Sequence, residues 1–389
     1  MRLYCFLLTN SFLRILQNGN SCCTFVAKGN CMKVTEANVK QAVELLKVLI
    51  NTPSISREEG DATDKLQLFI ERGAPVQCAV HRHLNNLWCV APGFDASRPT
   101  LLLDAHIDTV KPVSGWSKHP FTPIVDGDVI YGLGSNDDGA SLVTLLQVFY
   151  KICQKPQKYN TVFLASAEEE VSGSNGIEAV LPHLPAISCA IIGEPTSMQP
   201  AIAEKGLMVL DCVAEGVSGH AARNEGVNAL YKALEDIEWF RTHKYIRTSE
   251  LLGDVKMTVT QINAGTQHNV IPDRCSYVVD VRSNECYSNK ELLDIIKSNV
   301  NSSVTARSTR LNSSSISIEH PLVQRAVAMG SVPYGSPTLS NQALVGGIPT
   351  LKMGPGDTVR SHTANEYVLI SEIRDGIEKF CAMFDGLRL

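Results

Sequence analysis

The sequence predicts an α/β chain: a mixed, mostly parallel sheet with helices on both faces, interrupted by an inserted α+β unit. Three observations carry this. Apolar runs at Leu101–Asp108, Thr161–Glu170 and Cys189–Thr196 each end in acid groups or histidine, as buried strands delivering polar side chains to their C-terminal tips would. From about Gly206 the apolar pattern changes to strand-like alternation at Leu207–Ala214 and Val255–Ile262. After about Ile318 the helix and apolar-strand pattern of the first half resumes. The expected organisation is an extension at 1–31, a larger α/β domain in two parts at 32–205 and 318–389, and a smaller inserted α+β domain at 206–317.

In chain order, Thr35 can cap a helix whose apolar residues Val39, Ala42, Val43, Leu46, Leu49 and Ile50 recur at helical spacing, with Asn51-Thr52-Pro53-Ser54 ending it. A second helix is expected around Ala62–Arg72, then strands near Gln77–His81 and Leu87–Ala91. Asp126-Gly127-Asp128 reads as a hairpin turn. The glycine-rich run Gly132–Gly139 opens a helix bearing Leu142, Val143, Leu146, Phe149 and Ile152. It lacks the third glycine of a dinucleotide fingerprint and the GK[ST] of a phosphate loop, and its two aspartates would repel an anion. Its glycines instead let the backbone fold tightly around Asp137. In the inserted unit, Ala229–Phe240 and Leu292–Ile296 mark helices and Tyr277–Val281 a further strand. Asn301–Ser317, rich in serine, reads as the return linker. A helix at Leu322–Met329, a strand at Thr350–Met353, the loop Gly354-Pro355-Gly356 and a last helix through Ile370–Phe384 complete the chain.

A length of 389 residues favours two domains. The net charge of −5 lacks the basic footprint of a nucleic-acid binder, and no segment approaches the roughly 20 apolar residues that span a bilayer. The 12 cysteines are scattered, without a CxxC pair, which fits a reducing cytoplasm better than secretion. Polar residues interrupt the apolar start of the chain, so Met32 is the expected beginning of the functional part, with a poor export signal as the alternative.

His106, Asp108, Asp137, Glu169, Glu170, Glu194 and His362 together form the donor set of a metal centre. Two imidazoles and three carboxylates can hold two divalent ions if one carboxylate bridges them. Two Zn²⁺ supply four positive charges, which three carboxylates and a hydroxide cancel.

The motifs DAHIDTV at Asp104–Val110, YGLGSNDDG at Tyr131–Gly139, AEEE at Ala167–Glu170, GEPT at Gly193–Thr196 and SHTANEY at Ser361–Tyr367 occur in order. With GHAARNEGVNA at Gly219–Ala229 and NVIPD at Asn269–Asp273, the sequence resembles the dinuclear zinc amidohydrolases and peptidases that include acetylornithine deacetylase, succinyl-diaminopimelate desuccinylase and carboxypeptidase G, most closely the first. The resemblance implies a zinc-peptidase-like catalytic domain holding two Zn²⁺, for which Co²⁺ or Mn²⁺ could substitute. It implies that His106, Asp137 and Glu194 hold one ion, and Asp137, Glu170 and His362 the other. Asp108 is similar to the carboxylate that orients the histidine, and Glu169 to the general base that deprotonates a metal-bridging water. His220 and Asn269 resemble residues that steady the oxyanion, usually in a partner subunit's site, and Arg282 a residue near the substrate carboxylate. A non-proline cis peptide is expected in the turn at Asn136–Asp138. One departure is that Asp137-Asp138-Gly139-Ala140 lacks the lysine many members carry there.

The implied activity is hydrolysis of an N-acyl amino acid, N-acetylornithine in arginine biosynthesis foremost, by a cytoplasmic homodimer joined through the inserted domain. Succinyl-diaminopimelate, other acylamino acids and dipeptides are alternatives within the same chemistry, and a catalytically silent binding protein is the alternative outside it. A serine hydrolase is disfavoured because no GxSxG elbow is present.

Overall fold

In a computed structural model, residues 32–75, 78–223 and 225–389 are described. The extension expected at 1–31 lies outside them, as does Gln77 of the first expected strand. The strands are β1 Val80–His83, β2 Asn86–Val90, β3 Thr100–His106, β4 Ile124–Asp126, β5 Val129–Tyr131, β6 Asn160–Ser166, β7 Cys189–Ile192, β8 Ala201–Glu204, β9 Met208–Glu215, β10 Gly219–His220, β11 Lys256–Ala264, β12 Val270–Ile271, β13 Arg274–Arg282, β14 Ser303–Ala306, β15 Ser314–Ser315, β16 Tyr334–Ser336, β17 Thr350–Lys352 and β18 Tyr367–Leu369.

The large sheet runs β1-β2-β6-β3-β7-β17-β8-β15, with β16 alongside β8. Its central strands β6, β3, β7 and β17 are parallel; β1, β2, β8 and β15 join the flanks antiparallel, and β16 pairs with β8 in parallel. The alternation of β3 explains why both faces are covered. Leu101, Leu103 and Ala105 pack with the helices Glu36–Ile50, Gly60–Gly73, Gly139–Cys153 and Ile370–Phe384, whereas Leu102 faces Ile177, Val180, Leu344 and Val345. The helix Gly139–Cys153 is buried on nearly every side, because it lies between the sheet and the helices Glu36–Ile50 and Ile370–Phe384. Strands β4, β5 and β18 form the hairpin expected at Asp126-Gly127-Asp128 plus a third strand from the last motif.

A separate four-stranded antiparallel sheet, β11-β13-β9-β14, carries the helices Ala229–Thr242 and Asn289–Asn299 and encloses its own apolar cluster. The structure corrects the linker reading of Asn301–Ser317. Ser303–Ala306 pairs with β9 as an edge strand, and Ser314–Ser315 pairs with β8 of the large sheet. Serine-rich composition hid both, since an edge strand needs only one buried side chain, here Val304.

Candidate metal centre

The C-terminal end of β3 brings His106 to the tip of the sheet and leaves it 3% exposed. Its Nδ1 lies 2.9 Å from the Asp108 carbonyl oxygen and 3.5 Å from the Asp108 carboxylate, so Nε2 is turned into the cleft, 3.2 Å from Asp137 Oδ1. Asp108 does more than face the imidazole. Its Oδ1 accepts the Glu169 N–H at 3.0 Å, and its Oδ2 accepts the Glu170 N–H at 3.1 Å and the Ser56 hydroxyl at 2.7 Å. One carboxylate therefore sets both the imidazole and the 3₁₀ turn Glu169–Val171 that follows β6.

Asp137 sits in the glycine-rich turn. Gly134 has φ of +72°, and a Cβ there would lie 2.5 Å from Thr109 Cγ2, while one on Gly139 would lie 2.4 Å from the Gly134 carbonyl oxygen. Only glycine allows this fold-back. The Asp137–Asp138 peptide bond is cis, within the turn where one was expected. The turn is gripped by Glu366, 2% exposed, whose carboxylate accepts the N–H groups of Gly134 (3.0 Å), Asn136 (2.9 Å) and Asp137 (2.9 Å). Asn136 in turn donates to the Asp357 carbonyl and the Ser361 hydroxyl. These bonds place His362, in left-handed backbone with φ of +58°, opposite Asp137. His362 Nε2 is 2.9 Å from Glu170 Oε2 and 3.6 Å from Asp137 Oδ2.

Asp137 thus presents Oδ1 to one histidine and Oδ2 to the other. Donor atoms of His106, Asp137 and Glu170, and of His106, Glu169 and Glu194, lie within 4.8 Å of one another. Neighbouring ligands of a tetrahedral zinc are separated by roughly 3.3 Å given bonds of about 2.0–2.1 Å, so the observed spacings suit cations between these groups. These groupings differ from those implied by the resemblance: Glu170 is placed with His106 and Asp137, Glu194 with His106 and Glu169, and His362 is in neither.

Electrostatics point the same way. Burial pushes Glu194 up to about 8, aided by Asp137, and it raises Glu169 and Glu170 as well. The Glu170 hydrogen bond lifts His362 to about 9. Burial disfavours the charge on His106, but its bonds to Asp108 and Asp137 prevail and raise it. So many acids in one partly dry place would retain protons unless cations were present.

His220 and Asn269 come together away from this cluster. His220 pairs with Val270 across β10 and β12, and the Asn269 carbonyl accepts the Ala221 N–H at 3.0 Å. His220 is exposed, and among the described residues no hydrogen bond or ion pair joins either to the cluster. Arg282, at the end of β13, is held by both oxygens of Asp280, at 2.9 and 3.2 Å.

Sequence reasoning missed three residues. Glu366 lay inside the SHTANEY motif, yet nothing in the chain announced its backbone partners. Asp104, fully buried, accepts from Asn341 Nδ2 at 3.0 Å. Lys352, 2% exposed, pairs with Glu204 at 3.2 Å and donates to Thr338; a lysine in an otherwise apolar strand was a readable signal of such a partner.

Comparison with known proteins fixes the family. The model of peptidase family M20/M25/M40 matches residues 102–385, well over half of the chain. The chain belongs to this family. It is 27% identical over 379 residues to acetylornithine deacetylase of Proteus mirabilis (strain HI4320), covering 87% of this chain and 96% of that one. It is 24% identical over 279 residues to succinyl-diaminopimelate desuccinylase of Erythrobacter litoralis (strain HTCC2594), covering 65% and 72%. Among solved structures, aminopeptidase PepT of Bacillus cereus ATCC 10987 superposes with a TM-score of 0.70 at 18% identity, covering 89% of this chain and 98% of that one. A Bacillus subtilis protein described as a dinuclear metal-binding peptidase of the M20 family gives 0.67 at 17% identity, covering 90% and 98%. This M20-family chain is accordingly a hydrolase of mixed α/β fold whose His and Asp/Glu cluster fits metal binding.

Proposed function

We propose that this chain is a two-zinc deacylase of small N-acyl amino acids, with N-acetylornithine the favoured substrate. The observation that carries the reading is the divided carboxylate of Asp137, 3.2 Å from His106 Nε2 through one oxygen and 3.6 Å from His362 Nε2 through the other. In this reading His106, Asp137 and Glu194 would hold one ion, and Asp137, Glu170 and His362 the other. When bound, the two ions acidify water and polarise the amide carbonyl.

Glu169 takes the proton of the attacking water and passes it to the leaving amine. Its backbone is pinned by Asp108, and burial raises its proton affinity toward the range a group must have to accept and then release a proton near neutral pH. Asp108 fixes the tautomer and angle of His106. His220 and Asn269 steady the oxyanion of a partner subunit's site, and Arg282 receives the substrate carboxylate after exchanging it for Asp280. Dimerisation through the inserted domain is supported by its edge strand β11, paired among the described residues with β13 alone and bearing Ile262 at 49% exposure, and by Tyr231 and Leu234 exposed on the helix Ala229–Thr242. A cytoplasmic location accords with free cysteines among the described residues. The relatives at 24–27% identity favour an acetyl or succinyl substrate.

The test is Glu169→Gln, assayed with acetyl-ornithine, succinyl-ornithine, succinyl-diaminopimelate and a dipeptide beside a measurement of bound metal. Hydrolysis falls by at least about 10²-fold with metal retained; an active variant removes Glu169 from the mechanism. Mixing inactive Glu169→Gln and His220→Ala proteins restores activity if the site is shared, and no recovery shows that it is not.

A further inference from the structure

The outer edge of the large sheet carries a second group of reactive side chains, none of them used by the proposed chemistry. Cys89 lies in the middle of β2, fully buried, directly across from Val80 of β1. Cys78, two residues before Val80, is half-buried and packs onto the apolar cluster that contains Cys89. Each of the two thiols is the largest influence on the other's proton affinity. Cys153, at the end of the helix Gly139–Cys153, and Tyr150, one turn earlier, close the group. The Tyr150 hydroxyl is buried without a hydrogen-bond partner.

We propose that Cys78 and Cys89 are a peroxide-reactive dithiol whose oxidation closes a disulfide between the segment entering β1 and the middle of β2. Cys78 is the attacking sulfur, being the more accessible of the two. The neighbouring Cys89 thiol brings it down to about 7, whereas Cys78 and burial raise Cys89, and burial pushes Cys153 up to about 12. The Cys78 thiolate attacks one oxygen of a hydroperoxide; the O–O bond breaks, the alkoxide leaves and takes a proton, and Cys78 becomes a sulfenic acid. The Cys89 sulfur then attacks the Cys78 sulfur, the S–O bond breaks, and the departing hydroxide takes the Cys89 proton as water. Two thiols and one hydroperoxide yield one disulfide, one alcohol and one water, with hydrogen peroxide giving two waters.

The bond ties the chain between the helix Gly60–Gly73 and β1 to a strand already paired on both sides, so oxidation raises the melting temperature by several degrees. It also leaves the acid cluster untouched, since none of its residues lies on β1 or β2.

The experiment uses the full chain, reduced, treated with hydrogen peroxide, alkylated and digested with trypsin. Arg82 separates the two cysteines. Cys78 falls in the peptide 73–82, Cys89 in 83–118 because Arg98 and Lys111 precede prolines, and Cys153 in 152–158. The expected product is peptide 73–82 joined to 83–118, formed equally in Cys153→Ser. Cys89→Ala instead leaves a Cys78 sulfenic acid that dimedone traps. Joining of 73–82 to 152–158, or an unmodified Cys78 at a dose that oxidises the half-buried Cys286, overturns the proposal.

Discussion

Replacing Asp108 by Asn keeps shape and volume while removing one acceptor oxygen and the charge, and the structure sets the cost. The carboxylate accepts two backbone N–H groups on different oxygens, Glu169 on Oδ1 and Glu170 on Oδ2, with Ser56 sharing Oδ2. An asparagine that aims its oxygen at Glu170 presents its amide N–H₂ to the Glu169 N–H. Turned over, it frees the Glu170 N–H, although Ser56 can rotate to accept. Either way one backbone donor faces a donor at a site 1% exposed. Such an orphan costs about 1–3 kcal/mol, equivalent to roughly 5–150-fold in an equilibrium. The strain falls on the turn carrying Glu169 and Glu170, and His106 loses the anion beside Nδ1, so metal affinity drops by about 10–100-fold. Competition against a chromogenic chelator measures this, with Ser56→Ala as a control losing less than about fivefold because it leaves both N–H bonds intact. An Asp108→Asn protein with wild-type affinity and wild-type turnover would refute the reasoning.

Glu366→Gln follows the same logic one step further from the cleft. Its oxygen can serve Asn136 and Asp137 together, leaving the Gly134 N–H facing an amide, so metal affinity falls about tenfold with a loss of about 1–3 kcal/mol in stability, read by chelator competition and denaturant titration. Removing the metal makes the fold pH-sensitive in a defined direction. The raised carboxylates, Glu194 from 4.5 to about 8 among them, and His362 raised from 6.5 to about 9, all make the metal-free folded protein hold more protons than the unfolded chain. Its stability therefore falls as pH rises from about 4.5 toward about 9, while metal-loaded protein, whose carboxylates are already neutralised, declines less. Thermal melts with and without chelator across that range check it; a gap that narrows with rising pH would contradict the assignment.

The strand ends were legible because an apolar run that stops at a charged group has one economical explanation in a parallel sheet: the strand is buried and its tip is not. That placed His106, Glu169, Glu170 and Glu194 from the residues alone. The helix Gly139–Cys153 and the glycine turn before it were legible for a similar reason, since Gly134 and Gly139 occupy positions where a Cβ would strike Thr109 or backbone. The partners of buried charges were not legible. Glu366 meets Gly134 across 232 residues of sequence, and Asp104 meets Asn341 across 237. A sequence can show that a charge will be buried, as with Lys352, but the group that satisfies it is chosen by tertiary packing. The serine-rich segment at 303–306 failed for the opposite reason: an edge strand buries too little to leave an apolar pattern.

Asp104, which the sequence left without a role, completes the account of β3. It shares a face with His106, two residues on, and Asp108 follows two residues past that. Each of the three grips a different part of the chain. Asp104 holds the turn at Asn341, which also donates to Ser166 of β6; His106 meets Asp137 in the glycine turn; Asp108 holds the N–H groups of Glu169 and Glu170. Because strand side chains alternate, a slip of β3 by one residue against β6 and β7 would turn both Asp104 and His106 to the opposite face at once. The apolar residues Leu101, Leu103 and Ala105, all fully buried against the helices, forbid that slip. The hydrophobic register of this strand therefore fixes the position of the imidazole, and burial of Asp104 is tolerated because its hydrogen bond to Asn341 anchors the loop that covers the opposite face.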